Sequence, residues 1–406
     1  MLFFKKHQQY LPAITFFLLL LFSIFHIYSN FPTMGEYHMR NDEGNYFRQA
    51  SLISQQGLDG YKTVMSDYLT HPEMYDTPTP LRIFHIQLAS IAIDINPSIT
   101  SLSFLSLGWF IALCIMSWFF IRKVKNEKTA FVACSILAFS PLLNGMATRA
   151  LMDSEVCFFT LLALYSLMEF INSGKFRDGL IMVISLTAGI LIKEPFLVIY
   201  PFFPLMLMYF GWRKKTFGWR AFIFISLLPI LLVTLSYWIV FGNLSDVIKV
   251  YQVISQVNIL HPASYTATYC SGPWYQYFTD LFMLSPAVSI LFFLFTGYYF
   301  FSKDKKDGFL LLLLFYVIWF IATHSLLPKN VRYATSLEPI YALFAALSLI
   351  KISECIPYQK MKTPALALMI VFILALQIRS FNHYFRDGKL YDPISYNLQE
   401  LEKIIP

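Results

Sequence analysis

Residues 11–28 of the chain are LPAITFFLLLLFSIFHIY, and a short way further on comes the polar motif Asn41-Asp42-Glu43-Gly44-Asn45-Tyr46. A helix that crosses a hydrocarbon core of about 30 Å needs about 20 mainly apolar residues, so the first stretch predicts a membrane-spanning helix. Lys5 and Lys6 precede this stretch and no small-residue cleavage site follows it, which indicates an uncleaved signal anchor. The acidic motif is therefore expected just beyond the membrane surface.

The composition of the whole chain supports the same interpretation. Of the 406 residues, 57% are hydrophobic and 14% are charged, and the mean hydropathy is +0.56. An ordinary soluble domain has about 25% charged residues. This composition excludes a soluble enzyme, a disordered protein and a nucleic-acid-binding domain, despite the formal net charge of +7. It predicts an all-α polytopic membrane protein, because helices satisfy their own backbone hydrogen bonds in lipid.

Further apolar segments along the chain bring the prediction to about 11 transmembrane helices. Only Lys193-Glu194-Pro195 separates the fifth from the sixth, so a tight re-entrant turn is one interpretation of that point. No internal repeat is found, which disfavours transporters that are built from inverted halves. The segments lie near residues 11–29, 99–121, 129–146, 155–172, 179–194, 196–210, 221–241, 281–301, 308–325, 334–350 and 363–380.

The orientation follows from the lysines and arginines, which concentrate in every second connection and favour the cytoplasmic side. The N-terminus is then predicted in the cytoplasm and the C-terminus outside. We expect a single transmembrane domain over residues 1–380 and a short extracytoplasmic tail over 381–406. The basic clusters are Lys5/Lys6, Arg122/Lys123/Lys125/Lys128, Lys175/Arg177, Arg213/Lys214/Lys215/Arg220, Lys303/Lys305/Lys306 and Lys351/Lys360/Lys362.

Two long loops lie on the outer face in this topology, over residues 30–98 and 242–280. Loops longer than about 12–15 residues are usually functional or disordered. The first is rich in tyrosine, histidine and apolar residues, which argues against disorder. It is predicted to hold two in-plane helices, near Glu43–Gln56 and Pro80–Ile95, and the mixed composition of the second suits an interfacial helix.

Four charged residues near the outer ends of helices have two interpretations each. Asp42 and Glu43 stand at the start of a predicted helix, where carboxylates cap the helix and favour its dipole; the alternative is a chemical role. Arg149 and Asp153 share the short outer turn between the third and fourth helices. They either anchor and cap that turn or bind a phosphate or a sugar hydroxyl.

Three further cations are predicted near the outer side, and two of them, Lys329 and Arg332, run against the positive-inside trend. Lys193 either reaches the interface and pairs with Glu194, or it faces a polar cavity. Lys329 and Arg332 lie in the turn before the tenth helix. Their position is either chance or an anion site for a lipid phosphate.

The aromatic and histidine residues give a weaker signal. Trp274 and Tyr275 belong either to an interfacial aromatic belt or to a surface that stacks on sugar rings. His71 is either a solvated loop residue or a group that orients a substrate. No metal ligand is predicted, because the histidines are scattered without HExxH or HxH spacing. Nucleotide-driven transport and serine hydrolysis lack support, since no Walker A loop, GxGxxG or GxSxG occurs.

Taken in order, these motifs resemble those of the GT-C superfamily of membrane glycosyltransferases. The most similar branch is typified by dolichyl-phosphate-mannose protein mannosyltransferases and aminoarabinose lipid A transferases. Many relatives carry a lysine just before a proline pair, where this chain has Tyr75-Asp76-Thr77, although Arg82 lies nearby. The resemblance rests on Asp42-Glu43 with Tyr46, Thr77-Pro78-Thr79-Pro80-Leu81, Arg149 to Tyr165, Leu191-Ile192-Lys193-Glu194-Pro195, Gly272-Pro273-Trp274-Tyr275 and Arg332-Tyr333.

The resemblance implies an inverting hexosyl- or pentosyltransferase of a bacterial inner membrane, with an extracytoplasmic active site. It implies a polyprenyl-phosphate-sugar donor, membrane lipids as surroundings, and a lipid, glycan or protein acceptor. Asp42 is the expected general base, with Glu43 and Asp153 as catalytic partners. The donor phosphate is expected at Arg149, Lys193, Lys329, Arg332 and Arg82, and the substrates at Tyr46, His71, Trp274, Tyr275 and Tyr333. No cofactor is assigned, and because only some relatives use a divalent metal, metal dependence stays open.

Two other functions are alternatives. A flippase or exporter of lipid-linked sugars also has many helices and scattered cations within the membrane. It does not need an acidic pair just above the first helix, and its charges are expected at mid-depth. An O-antigen polymerase or ligase has its large outer loop later in the chain, whereas the longest loop here comes first.

Overall fold

A computed structural model of the protein describes residues 11–71, 77–213, 218–260, 264–302, 307–390 and 395–404. Within these ranges the regular elements are helices and no strand occurs, so the predicted all-α class is confirmed. Some residues that the sequence singled out lie outside the described ranges. They are Lys5, Lys6, Tyr75, Asp76, Lys214, Lys215, Lys303, Lys305 and Lys306.

The α-helices are numbered here in chain order, and short 3₁₀ and π segments lie between some of them. The 3₁₀ segments are Met34–Glu36 and Val331–Leu337, and the π segments are Gln256–Leu260 and Asn382–Asp387. The α-helices are α1 Leu11–Ser29, α2 Asp42–Gln56, α3 Leu58–Thr70, α4 Ile83–Ile95, α5 Thr100–Val124, α6 Glu127–Ala138, α7 Pro141–Ala147, α8 Asp153–Ser173, α9 Phe176–Ile192, α10 Phe196–Ile199, α11 Phe202–Arg213, α12 Trp219–Phe241, α13 Leu244–Ser255, α14 Ser264–Tyr269, α15 Gln276–Leu284, α16 Pro286–Phe301, α17 Gly308–His324, α18 Glu338–Glu354, α19 Gln359–Phe381 and α20 Ser395–Ile404.

The predicted count of about 11 spans is not confirmed. Each predicted apolar segment contains helix, but among the described residues seven helices are long and apolar enough to cross a membrane, or eight if a bent pair is one span. That pair, α6 and α7, bends by 57° where residues 139 and 140 interrupt the helix. α16 and α17 have 16 and 17 residues, which at 1.5 Å per residue is shorter than the hydrocarbon core.

The first long loop holds three α-helices, so the sequence analysis missed one of them. α2 and α4 match the two predicted in-plane helices, and α3 lies between them. Gly57, with φ of +61°, makes the turn from α2 into α3, a conformation that glycine adopts at little cost. The signal for α3 was present: its buried residues Tyr61, Val64, Met65 and Tyr68 recur at helical spacing.

Gly44 in the first turn of α2 fixes how the acidic motif packs. A Cβ atom at this position would lie 2.0 Å from the carbonyl oxygen of Met39. Because that neighbour is backbone, it has no flexible side chain that can move aside. The absence of a side chain therefore allows the start of α2 to fold back on the preceding turn.

The substitution Gly44→Ala is expected to destabilise the protein and to displace Asp42 and Glu43, because the new methyl group overlaps the backbone of Met39. Thermal unfolding in detergent measures the effect. Gly108→Ala is the matched control, since Gly108 lies inside α5 with open space around it. An alanine there is expected to stabilise the helix by up to about 1 kcal/mol. Equal melting temperatures for the two variants would contradict this account of Gly44.

The helix ends divide the bundle into two poles. At one pole Lys123 at the end of α5 pairs with Glu169 near the end of α8 at 2.7 Å, and Lys125 pairs with Asp307 just before α17. At the other pole α8 begins with Asp153 and α9 ends next to Lys193. The 21 residues of α8 extend over about 30 Å, so the two sets of charges are separated by roughly the thickness of a hydrocarbon core.

Candidate active site

Glu43 forms a buried ion pair with Arg149 across the start of α2 and the turn before α8. The Nε of Arg149 donates to Oε1 of Glu43 at 2.9 Å, and the Nη2 donates to Oε2. The backbone N–H groups of Ala150 and His38 also donate to this carboxylate, each at 3.1 Å. Because both of its oxygens accept two donors, Glu43 joins the first loop to the turn between α7 and α8.

Asp42 points to a different cation. The Nη2 of Arg332 donates to Oδ2 of Asp42 at 2.8 Å, and the two residues are 290 positions apart in the chain. Asp42 is 32% exposed and Arg332 is 9% exposed, so the carboxylate is the accessible member of the pair. Burial opposes ionisation of Asp42, but Arg332 and then Arg82 outweigh it and lower its pKa. Asp42 is therefore a carboxylate at neutral pH.

Lys193 and Asp153 form the third ion pair, with 2.8 Å between Nζ and Oδ1 and with both side chains almost fully buried. The Lys193 Nζ also lies 4.7 Å from the ring centroid of Tyr333, within the range of a cation–π contact. The interpretation in which Lys193 pairs with its neighbour Glu194 is wrong.

Glu194 instead pairs with Arg82, the residue directly before α4. The Nε of Arg82 lies 3.1 and 3.0 Å from the two Glu194 oxygens, and its Nη2 lies 3.0 Å from Oε2. Thr79 donates to Oε1 of the same carboxylate. The Nη1 of Arg82 donates to the hydroxyl of Tyr46, so this predicted substrate residue is joined to a predicted phosphate-binding residue.

Another buried pair, His85 with Glu155, lies behind Tyr46. The Nδ1 of His85 on α4 is 2.8 Å from Oε2 of Glu155 on α8, and both side chains are at most 2% exposed. The Tyr46 ring packs edge-on against the His85 imidazole, with 5.2 Å between centroids. The sequence analysis missed this pair, and its signal was a histidine that interrupts the apolar face of α4.

The remaining predicted site residues have other surroundings. Lys329 donates from Nζ to the carbonyl groups of Ser325 at 2.5 Å and Leu327 at 3.2 Å, and burial lowers its pKa. It thus satisfies backbone groups that follow α17. Trp274 and Tyr275 are 63% and 47% exposed and contact each other edge-on. His71 is exposed after the last turn of α3.

The structure brings seven of the predicted residues into one connected group. Asp42 interacts electrostatically with Arg82 and Lys193 as well as with its partner Arg332. Each of these three cations has a carboxylate partner in contact, so the group has no excess formal charge. The seven residues are Asp42, Tyr46, Arg82, Asp153, Lys193, Arg332 and Tyr333, while Glu43 and Arg149 pair with each other beside it.

Two residues of this group were assigned no site role from the sequence, Thr79 and Glu194. Thr79 lies in the proline-pair motif, and Glu194 lies in the lysine motif, so both stretches were recognised but the partners were not. In the part of the chain that the structure describes, no group of three or more His, Cys, Asp or Glu side chains is arranged to hold a metal ion. The carboxylates of the group face cations instead.

Comparisons with known proteins agree with this architecture. Residues 78–239 match the family described as dolichyl-phosphate-mannose-protein mannosyltransferase. This stretch contains Arg82, Arg149, Asp153, Lys193 and Glu194. No curated protein matches the chain significantly.

Solved structures match over almost the whole chain. The oligosaccharyltransferase of Archaeoglobus fulgidus in the apo form matches with a TM-score of 0.61 and 14% identity, over 97% of this chain and 60% of its own. This chain thus spans 60% of the length of that protein. ArnT from Cupriavidus metallidurans bound to undecaprenyl phosphate matches with a TM-score of 0.53 and 11% identity, over 96% of this chain and 77% of its own. The predicted resemblance is therefore confirmed: the chain has the fold of the GT-C membrane glycosyltransferases.

Proposed function

We propose that the protein is a membrane glycosyltransferase that moves a sugar from a polyprenyl-phosphate-linked donor to an acceptor hydroxyl on the extracytoplasmic side of a bacterial inner membrane. The observation that carries this proposal is the contact between Asp42 and Arg332 within a group that also holds Arg82 and Lys193. A carboxylate with accessible surface next to several cations suits a reaction in which a hydroxyl loses a proton and a phosphate leaves.

In this reaction Asp42 accepts the proton of the acceptor hydroxyl, and the acceptor oxygen attacks the anomeric carbon of the donor. The bond between that carbon and the phosphate oxygen breaks, and the lipid phosphate leaves with the bonding electron pair. A single displacement inverts the anomeric configuration. General-base assistance of this kind contributes about 10²–10⁴-fold to the rate.

The cations neutralise the charge that develops on the leaving phosphate. Arginine suits this task because its planar guanidinium contacts two phosphate oxygens at once. Arg332 is engaged with Asp42 in the free protein, so a donor phosphate that takes over Arg332 also releases Asp42. Since Arg332 lowers the pKa of Asp42, this exchange raises that pKa and makes the carboxylate a stronger base when the donor is bound.

The other residues support both substrates in this scheme. Lys193, held by Asp153 and covered by the Tyr333 ring, adds positive charge beside the phosphate. Arg149 and Glu43 fix the turn that carries Asp153. The exposed rings of Trp274 and Tyr275 give a surface for a sugar or an apolar acceptor, which we propose to be a lipid, a glycan or a protein.

The test reconstitutes the full chain in liposomes that contain undecaprenyl-phosphate-linked sugars and envelope extracts as acceptors. Sugar transfer to an acceptor, measured by mass spectrometry, supports the proposal. Movement of the lipid-linked sugar between leaflets without transfer would instead identify a flippase. Mass spectrometry of envelope glycans from a strain that lacks the protein then names the missing sugar and its acceptor.

The role of Arg332 also predicts a pH dependence. kcat/KM is expected to fall in acid as Asp42 becomes protonated in the free enzyme. Because Arg332 lowers the pKa of Asp42, the substitution Arg332→Gln is expected to move this acidic limb to higher pH. A profile of kcat/KM against pH measures the shift. If the acidic limb lies at the same pH in both proteins, the group that titrates is not Asp42.

A further inference from the structure

The guanidinium of Arg82 is held along its Nε/Nη2 edge and by one further contact from Nη1. Its Nε and Nη2 contact the Glu194 carboxylate at 3.0–3.1 Å, and its Nη1 donates to the Tyr46 hydroxyl. Nη1 and Nη2 each carry a second hydrogen. Among the described residues these second hydrogens have no protein partner. Arg82 thus keeps donor capacity for a ligand while its inner edge is fixed.

Through its contacts with Tyr46 and Glu194, Arg82 belongs to the candidate active site. Arg82 contributes to the electrostatic environment of both Asp42 and Lys193, the residues that form two of the ion pairs there. Its side chain is 13% exposed, whereas Glu194 is 8% exposed. Glu194 is therefore the more buried member of the pair.

The backbone explains how Glu194 reaches Arg82. Lys193 is extended, with φ of −153° and ψ of 124°, and Pro195 follows Glu194 at the start of α10. Neighbouring side chains on an extended backbone point to opposite sides. Lys193 accordingly faces Asp153, while Glu194 faces Arg82 and Thr79. The dipeptide Lys193-Glu194 thus provides one cation of the site, Lys193, and holds another, Arg82.

We propose that Glu194 is a positioning residue, which holds Arg82 by its inner edge so that the remaining N–H groups of Arg82 bind the phosphate of the lipid-linked donor. This inference rests on the function proposed above. Glu194 itself does not touch the substrate.

The experiment uses the full chain in detergent and measures binding of undecaprenyl phosphate and of undecaprenol, which lacks the phosphate. E194Q is expected to weaken undecaprenyl phosphate binding by about tenfold or more, because a hydrogen bond to a charged group contributes about 1.5–3 kcal/mol. Undecaprenol binding is expected to stay unchanged. E169Q is the matched control, since Glu169 also pairs with a cation, Lys123, but at the opposite pole.

A double-mutant cycle separates positioning from a general structural role. If Glu194 acts through Arg82, the variant R82Q/E194Q binds undecaprenyl phosphate no more weakly than R82Q alone. Losses that add up, or an equal loss of undecaprenol binding in E194Q, overturn the inference. Normal undecaprenyl phosphate binding by E194Q also overturns it. If the unmodified protein binds both lipids equally, the proposed function itself fails.

Discussion

Replacing Asp42 with asparagine is expected to lower sugar transfer by about 10²–10⁴-fold, the contribution of a general base. Asparagine keeps the size of the side chain and a hydrogen-bond acceptor for Arg332 but takes up no proton at neutral pH. The substitution leaves Arg332 without its carboxylate, but Asp42 is 32% exposed and solvent reaches the pair, so the fold is expected to persist with a moderate loss of stability. Transfer by reconstituted protein and thermal unfolding of the same preparation measure both effects.

The control for this variant is Asp59→Asn. Asp59 lies in the same loop, at the start of α3, and pairs with Lys62 at 2.8 Å on the surface, where it is 79% exposed. Exposed pairs contribute little to stability, so transfer and stability are expected to be unchanged. Near-normal sugar transfer by the Asp42 variant would show that Asp42 is not the general base. In that case the pair with Arg332 has a structural role.

The sequence predicted the helices of this protein well because their signal is local. An apolar run of about 20 residues specifies a membrane helix almost regardless of its neighbours. The number of spans was harder, since it depends on breaks such as that between α6 and α7 and on the exact length of α16 and α17. α3 was missed because its apolar face is short and lies between polar residues.

The partners within the site could not be predicted for a different reason. Asp42 contacts a residue 290 positions away, and Glu43 contacts one 106 positions away. Hydrophobic periodicity carries no information about such pairings. Adjacency along the chain was misleading for Lys193 and Glu194, because an extended backbone sends neighbouring side chains in opposite directions. The residue types and the motifs were recognisable, but their pairing required the fold.

Replacing Lys193 with methionine is expected to damage both stability and activity. Asp153 is 2% exposed and relies on Lys193 as its charged partner. Removing one member of a buried ion pair costs about 3–5 kcal/mol, because the other charge stays buried without compensation. The variant also loses a positive charge beside the proposed phosphate position. Thermal unfolding and sugar transfer measure the two losses, and Lys249→Met is the control, since the exposed Lys249–Asp246 pair contributes little.

The double variant Lys193→Met with Asp153→Asn separates the two effects. With both charges removed, most of the lost stability is expected to return, because replacing a buried ion pair by neutral groups is often neutral or stabilising. Sugar transfer is not expected to return, since the cation that we propose to neutralise the leaving phosphate is still missing. A double variant that regains both stability and transfer would show that Lys193 only balances the charge of Asp153. Phosphate neutralisation would then rest on Arg82 and Arg332, the other two cations of the group, whose side chains are 13% and 9% exposed.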